Sequence, residues 1–421
     1  MPIRPEPSAV VGWGSVTPLG GDPDSTWQAF RDGRSGIQSL KDDWSLDLPV
    51  RIGGRVSPSA LESLSPLLRR RSDRCAQLAL VAARQAWTMA SSLTDGIHPS
   101  RIAVVLGTGI GGLSTMHEQH LQLTEGGPDR VNPLTVPMLI PDAPAGQVAI
   151  DLGIQGGAHT PVSACASGAE ALMLAQMLLN DDRADLVLAG GAEAPVNRLG
   201  LVGFSAMRAL SCRNDAPEGA SRPYGADRDG FVLSEGAGMI ALMRGSDTPP
   251  SAAKGWLLAS GSSSDAHHIV APEPQGLQAS KAIDDALRRA DISPSDLCAI
   301  QAHATGTRLG DLAEVRALRR SLGNAVDLLP VCAPKGQLGH LLGGAGAVET
   351  ILALQWLNDG VVPQSMNADP LDQEVNLPVT VKGPVELKST PTSRLLLKNA
   401  FGFGGHNISL VLAGSTSERP G

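Results

Sequence analysis

Five short apolar runs in the first half of this 421-residue chain return, in the same order, in the second half. Ser8 to Gly14, Arg101 to Leu106, the stretch entering Cys165, Ala184 to Gly191 and Gly238 to Met243 are bounded by glycine, proline or polar turns. Runs of this length and composition suit strands buried on both faces. Trp256 to Gly261 takes the place of the first run, Leu297 to His303 of the second and Leu329 to Lys335 of the third. Arg394 to Asn399 and Ile408 to Ala413 stand for the fourth and fifth. Helical patterns lie between them, at Ser25 to Asp32, 76–90, the Ala/Leu/Met run after Cys165, Gln278 to Ala290 and 341–357. Strands alternating with helices predict a layered α/β fold made from a duplicated unit. Residues 36–66 mix polar and proline signals and read as loop-rich.

Composition narrows the function. With 42% hydrophobic and 18% charged residues the chain reads as a soluble globular protein, and a net charge of −8 argues against a general nucleic-acid binder. Five cysteines (75, 165, 212, 298 and 332) have an odd count and no CxxC spacing, which fits reduced thiols rather than a disulfide framework or a zinc site. No apolar run approaches the roughly eighteen residues of a membrane span, and the opening MPIRPEPSAVVGWG lacks a signal-peptide pattern. A cytoplasmic location is expected.

The candidate chemistry centres on Ser163-Ala164-Cys165-Ala166-Ser167-Gly168. Small neighbours let another molecule approach the sulfur, and a helix beginning at Cys165 would aim its N–H groups at the sulfur and favour thiolate. A lone cysteine is more often a small buried hydrophobe, so the reading needs partners. Two histidines supply them. His303 ends a strand in the loop His303-Ala304-Thr305-Gly306-Thr307, and His340 stands at the mouth of a Gly/Ala-rich helix whose positive end favours a neutral imidazole. No i, i+4 histidine pair or carboxylate cluster accompanies them, so a metal site fits worse. Gly107-Thr108-Gly109-Ile110-Gly111-Gly112 has dinucleotide-loop spacing, but no second strand ending in an acidic residue follows it. Arg69, Arg70, Arg71 and Arg74 form a basic cluster on an acidic chain, either a solvated helix end or a docking patch for an acidic partner.

Taken together, Ser-Ala-Cys165-Ala-Ser-Gly, His303-Ala-Thr-Gly-Thr with Gly310-Asp311, Lys335 with Gly339-His340, and Asn399-Ala-Phe401-Gly-Phe403-Gly-Gly resemble the β-ketoacyl-carrier-protein synthase family, in its elongating Cys-His-His branch. The resemblance spans nearly the whole chain and includes RPYGADRDGFV. The segment from Ser264 to Pro272 and the ending GFGGHN resemble actinobacterial long-chain members. It implies a thiolase-like fold, a duplicated five-layered αβαβα architecture, with an N-terminal half 1–250 carrying the cysteine and a C-terminal half 251–421 carrying the histidines. It implies a 3-oxoacyl-[acyl-carrier-protein] synthase that adds two carbons to a carrier-bound acyl chain. Cys165 would take the acyl group as a thioester, and backbone N–H groups of Cys165 and Phe403 would form the oxyanion hole. His303 and His340 would stabilise the enolate left when malonyl-carrier loses CO₂. Lys335, paired with Glu349, would hold charge near His303, and Asp311 would support the loop. Thr305 and Thr307 would bind the phosphopantetheine arm; Phe403 would gate the pocket, with Phe401, Ile110 and Phe204 lining it. Arg69, Arg70, Arg71, Arg74, Arg130 and Arg208 would dock the acyl carrier protein. The family habit is a homodimer without a cofactor of its own.

The chain departs from the family at Gly336, where relatives usually have Ser, at His406 in place of Thr, and at Gln301 in place of Asn. Segment 36–66 and the tail from Ser415 match weakly. A thiolase would carry a second cysteine in a late loop, and none follows Cys332. A non-catalytic chain-length partner would commonly lack the cysteine. The ketosynthase subunit of a heterodimeric type II polyketide synthase, or a drug-insensitive copy kept for self-resistance, stays an open alternative.

Overall fold

The computed structural model describes residues 5–387 and 394–415, so the first four residues and most of the tail from Ser415 lie outside it. Ten strands join in one sheet. In the N-terminal half they are β1 (Ser8–Val16), β2 (Ile102–Gly107), β3 (Ala158–His159), β4 (Leu186–Glu193) and β5 (Gly236–Arg244). In the C-terminal half they are β6 (Gly255–Ser264), β7 (Leu297–Gln301), β8 (Val331–Cys332), β9 (Leu395–Gly402) and β10 (His406–Gly414). From the centre outward the first half runs β1-β5-β4-β2-β3 and the second β6-β10-β9-β7-β8, the same positions in each. Strand senses repeat as well. β5 is antiparallel to β1 and β4, as β10 is to β6 and β9. β4, β2 and β3 are mutually parallel neighbours, as are β9, β7 and β8. The halves meet where Ser8 to Val10 pair with Gly255 to Leu257. The repeat read from the apolar runs is a repeat of topology.

Helices complete the layers. α1 (Arg74–Thr94) and α2 (Ala143–Leu152) pack together on the N-terminal strands, while α4 (Leu277–Ala290) and α5 (Arg308–Leu322) pack together beside β6 and β10. Between the two half-sheets lie α3 (Ser167–Asn180) and α6 (Ala345–Asp359), packed on each other; α3 touches β2, β4, β5 and β10, and α6 touches β4, β5, β9 and β10. This is the αβαβα sandwich. A helix enclosed on all sides is apolar nearly all round: every residue of α6 from Ala345 to Leu357 is buried, with Glu349, Thr350 and Gln355 as its polar exceptions. Where α3 and α6 begin, a Cβ on Gly168 would stand 2.8 Å from the Gly343 carbonyl oxygen, so only glycine permits the approach. Segment 36–66 is indeed loop-rich, holding one short antiparallel pair, Ile37–Ser39 with Ile52–Gly54, and brief 3₁₀ turns.

Candidate active site

Cys165 does not open the helix. It sits in a 3₁₀ turn, Ala164–Ala166, and α3 starts at Ser167; the strand before it, β3, ends at His159 rather than running into the cysteine. The turn is strained, with Ala164 at φ 51°, a region that L-residues other than Asn and Asp rarely enter. Ser167 clamps it: its Oγ accepts from the Ser163 N–H (3.0 Å) and donates to the Ala164 carbonyl (2.7 Å). From the other half, Gly402 presses on the same turn; a Cβ there would stand 2.5 Å from the Ser163 carbonyl oxygen.

The expected thiolate is not the resting form. Burial pushes the Cys165 thiol up to about 12, against the pull of Lys335 and of the Phe403 and Cys165 backbone N–H groups, and Glu193 adds to the rise. Those two N–H groups are the pair the resemblance assigned to an oxyanion hole, and both lie at the sulfur. Iodoacetamide alkylation of Cys165, separated from the exposed Cys212 by peptide mapping, is therefore expected to keep rising with pH to about pH 10. A plateau below about pH 8 would mean that the thiolate forms in the free protein.

His303 and His340 converge on this thiol from the C-terminal half. Their rings lie 5.6 Å apart at 80°, with Phe231 edge-on to His340 at 5.2 Å and Phe401 5.9 Å from His303. Both imidazoles are held well below the usual histidine value, first by burial and then by the charges of Lys335 and Lys398. They are neutral at pH 7, as expected for His340, but the cause is desolvation and lysine charge. α6 itself begins only at Ala345, after the 3₁₀ turn Leu342–Gly344. Neither Nδ1 has a hydrogen-bond partner among the described residues.

The loop carrying His303 is fastened by buried carboxylates. Glu314 accepts from the backbone N–H groups of His303 and Ala304, both at 2.8 Å, and Asp311 accepts from those of Thr305 (3.0 Å) and Gly306 (3.1 Å). Asp311 also meets Arg228 at 3.1 Å. Lys335 Nζ donates to the His303 carbonyl (2.6 Å) and pairs with Glu349 (2.6 Å), so it braces the backbone of His303 as well as charging its surroundings. Thr305 and Thr307 hydroxyls meet at 2.9 Å in the wall of one cavity with Cys165, His303, His340, Phe401 and Phe403. Ile110, Phe204 and Phe403 pack on the apolar cluster containing Cys165 and Phe231.

The glycine-rich loop after β2 encircles a protein carboxylate. Glu193, at the end of β4, accepts from the N–H groups of Gly109 (2.6 Å), Ile110 (3.1 Å) and Gly343 (3.1 Å) and from the Thr108 hydroxyl (2.9 Å). Anion-seeking N–H groups are thus satisfied within the chain. Glu193, Glu314, Phe231 and Lys398 were not singled out from sequence. A lysine interrupting Leu395-Leu396-Leu397 was the one visible signal among them. Gly336 has its own reason: a Cβ there would stand 2.5 Å from the Met366 carbonyl oxygen, so this chain's backbone leaves no room for Ser.

Among the arginines, Arg69, Arg70, Arg71, Arg130 and Arg208 are exposed and make no ion pair with the described residues. Arg74 differs: its guanidinium grips the buried Glu235 through Nε (2.7 Å) and a second nitrogen (2.5 Å), so it is committed to the fold.

Duplicated half-sheets, a buried helix pair between them and a cysteine-bearing turn at the head of that pair define a protein of the thiolase-like class. The family model "Beta-ketoacyl synthase, N-terminal domain" matches residues 6–248 and its C-terminal counterpart residues 255–369; the chain belongs to the β-ketoacyl synthase family. It is 37% identical to 3-oxoacyl-[acyl-carrier-protein] synthase 2 of Staphylococcus aureus strain N315, over 96% of this chain and 97% of that one. It is 36% identical to the protein of the same name from Synechocystis, over 96% of each. A type II polyketide ketosynthase, solved in complex with its acyl-carrier protein and bound to the hexaketide, superposes with a TM-score of 0.88 at 27% identity, covering 98% of this chain and all of that one. A ketosynthase from Xenorhabdus doucetiae in complex with its chain length factor gives 0.82 at 27%, covering 97% and 98%.

Proposed function

We propose that this protein is an acyltransferase that condenses a Cys165-bound acyl chain with malonyl-acyl carrier protein, releasing CO₂ and a carrier-bound β-ketoacyl chain two carbons longer. The observation that carries the reading is one buried thiol facing two neutral imidazoles and two backbone N–H groups in a single cavity. In the first step Cys165 sulfur attacks the acyl-carrier thioester, the carbonyl oxygen leans on the N–H groups of Cys165 and Phe403, and the thiol proton leaves with the carrier's pantetheine sulfur. In the second, malonyl-carrier loses CO₂. Neutral His303 and His340 donate N–H bonds to its thioester oxygen, and the enolate carbon attacks the Cys165 thioester. Cys165 leaves as thiolate and takes one proton from solvent, which balances the reaction. Thr305 and Thr307 hold the pantetheine arm, and the exposed arginines receive the acidic carrier, a role Arg74 no longer shares.

The same reading assigns no cofactor to the chain beyond the phosphopantetheine its carrier brings, a cytoplasmic location, and halves 1–250 and 251–421. Among the described residues no helix is long and apolar enough to cross a membrane. A homodimer is proposed through β3, an exposed edge strand with a single neighbour, β2. The ketosynthase–chain length factor likeness supports a second reading, the ketosynthase subunit of a heterodimeric polyketide synthase.

Acyl-carriers of several lengths, followed by malonyl-carrier, test the proposal. A mass gain mapped to the Cys165 peptide rather than to exposed Cys212, then a product two carbons longer, supports it. Acylation without extension until a partner subunit is added favours the heterodimer. Cys165 left unmodified by every chain length overturns both.

A further inference from the structure

Lys398 stands where the pattern of its strand asks for an apolar residue. It lies in the middle of β9, facing Gln301 of β7 and Leu410 of β10, and its side chain is fully buried. Its same-face neighbours, Leu396 and Ala400, both belong to the apolar layer around α6. A lysine left charged in such a place is costly unless it is paired. Its partner is Glu349 of α6, whose carboxylate is divided: one oxygen meets Lys335 at 2.6 Å and the other meets Lys398 at 3.2 Å. Two buried ammonium groups therefore share one carboxylate.

The contacts close into a ring around His303. Lys335 reaches the His303 carbonyl (2.6 Å), and Glu349 joins Lys335 to Lys398. Lys398 donates to the Asn399 carbonyl (3.0 Å), the Asn399 amide donates to Glu314 (3.0 Å), and Glu314 accepts the His303 N–H (2.8 Å). Lys398 is the link that joins Glu349 to the Asn399 side of this ring.

We propose that Lys398 is a positioning residue for the histidine-dependent step, tethering Glu349 to the His303 loop and adding a second buried positive charge that faces both imidazoles. The inference rests on the reaction proposed above. The charged and titratable groups around it are Glu349 and Cys332 beside α6, Lys335, Glu314 from α5, and His303 and His340. The positive charges of Lys335 and Lys398 both hold the two imidazoles below their ordinary value, whereas Lys335 is the foremost positive charge acting on the Cys165 thiol. The two half-reactions should therefore respond differently to its loss.

Lys398→Met, which keeps the stem and removes the charge, provides the test in the full-length protein. Removing a positive charge raises an imidazole's pKa, so the rings protonate at higher pH. The acid limb of the condensation rate is expected to move up by about one pH unit. Cys165 acylation should stay within about twofold of the parent. Resonances of the two buried histidines, followed by NMR against pH, should shift upward likewise, and this readout needs no turnover. In Lys398→Ala, ethylammonium chloride should restore condensation severalfold where sodium chloride at equal ionic strength does not. An unmoved acid limb and unmoved histidine titrations overturn the proposal. So does an equal loss of both half-reactions without amine rescue, which would make Lys398 structural only. If the parent protein neither decarboxylates malonyl-carrier nor extends a chain, the proposed reaction fails instead, and the histidine titrations still decide the role of Lys398.

Discussion

Cys165→Ala is expected to take no acyl group and to lose chain extension by at least about ten-thousand-fold, because no other group in the cavity can hold the thioester. His303→Ala and His340→Ala should behave differently. Each still acylates Cys165, since the sulfur and its two backbone N–H groups are untouched, yet each loses condensation by about a thousandfold. The reason is electrostatic. Enolate charge develops on the thioester oxygen beside buried imidazoles, where a preset N–H donor is worth more than in solvent. Single-turnover measurement separates the steps: intact mass follows acylation, and released CO₂ with β-ketoacyl product follows condensation. Equal loss of both steps in the histidine variants would assign the imidazoles to deprotonating Cys165, a role that a thiol pushed up to about 12 leaves chemically available.

What could be read in advance follows from how local each feature is. Nine of the ten strands were visible because burial on both faces demands continuous apolar runs; β3, two exposed residues at Ala158–His159, carries no such run and lies ahead of the stretch expected to enter Cys165. The small residues around Cys165 advertised a turn that another molecule can approach. The starting point of α3 was misplaced by two residues. The positive φ of Ala164 that separates turn from helix is enforced by Ser167 and by Gly402, more than two hundred residues away in sequence. The protonation states needed the whole core: burial opposes the helix end at Cys165 and holds His340 neutral in the same direction as a helix end would. Glu193 shows the same limit from the other side. Its neighbours in sequence carry no sign that β4 delivers it into the loop Thr108 to Gly111, where it occupies N–H groups that spacing alone would assign to a phosphate.

Glu349→Gln is expected to be among the most destabilising single changes in the molecule, lowering unfolding free energy by about 3–5 kcal/mol at neutral pH. The carboxylate lies fully buried between Lys335 and Lys398, so its neutralisation leaves two ammonium groups close together with no counter-charge from α6. Lys335 keeps the His303 carbonyl and Lys398 the Asn399 carbonyl, which satisfies hydrogen bonds but not charge. The sign of the pH dependence follows from Lys398, whose amine burial already holds below the ordinary lysine value. Between its folded and unfolded pKa the unfolded chain binds more protons, so this group makes stability rise with pH across that window. Loss of Glu349 lowers the folded pKa further and widens the window. Urea unfolding at a series of pH values should therefore show the Glu349→Gln deficit shrinking as pH rises through the lowered folded-state titration of Lys398. A deficit that stays constant with pH would show that packing around α6, and not the unshared charge, sets the cost. The double variant Glu349→Gln with Lys398→Met separates the two accounts, since removing the second ammonium should restore part of the stability only if charge is the cause.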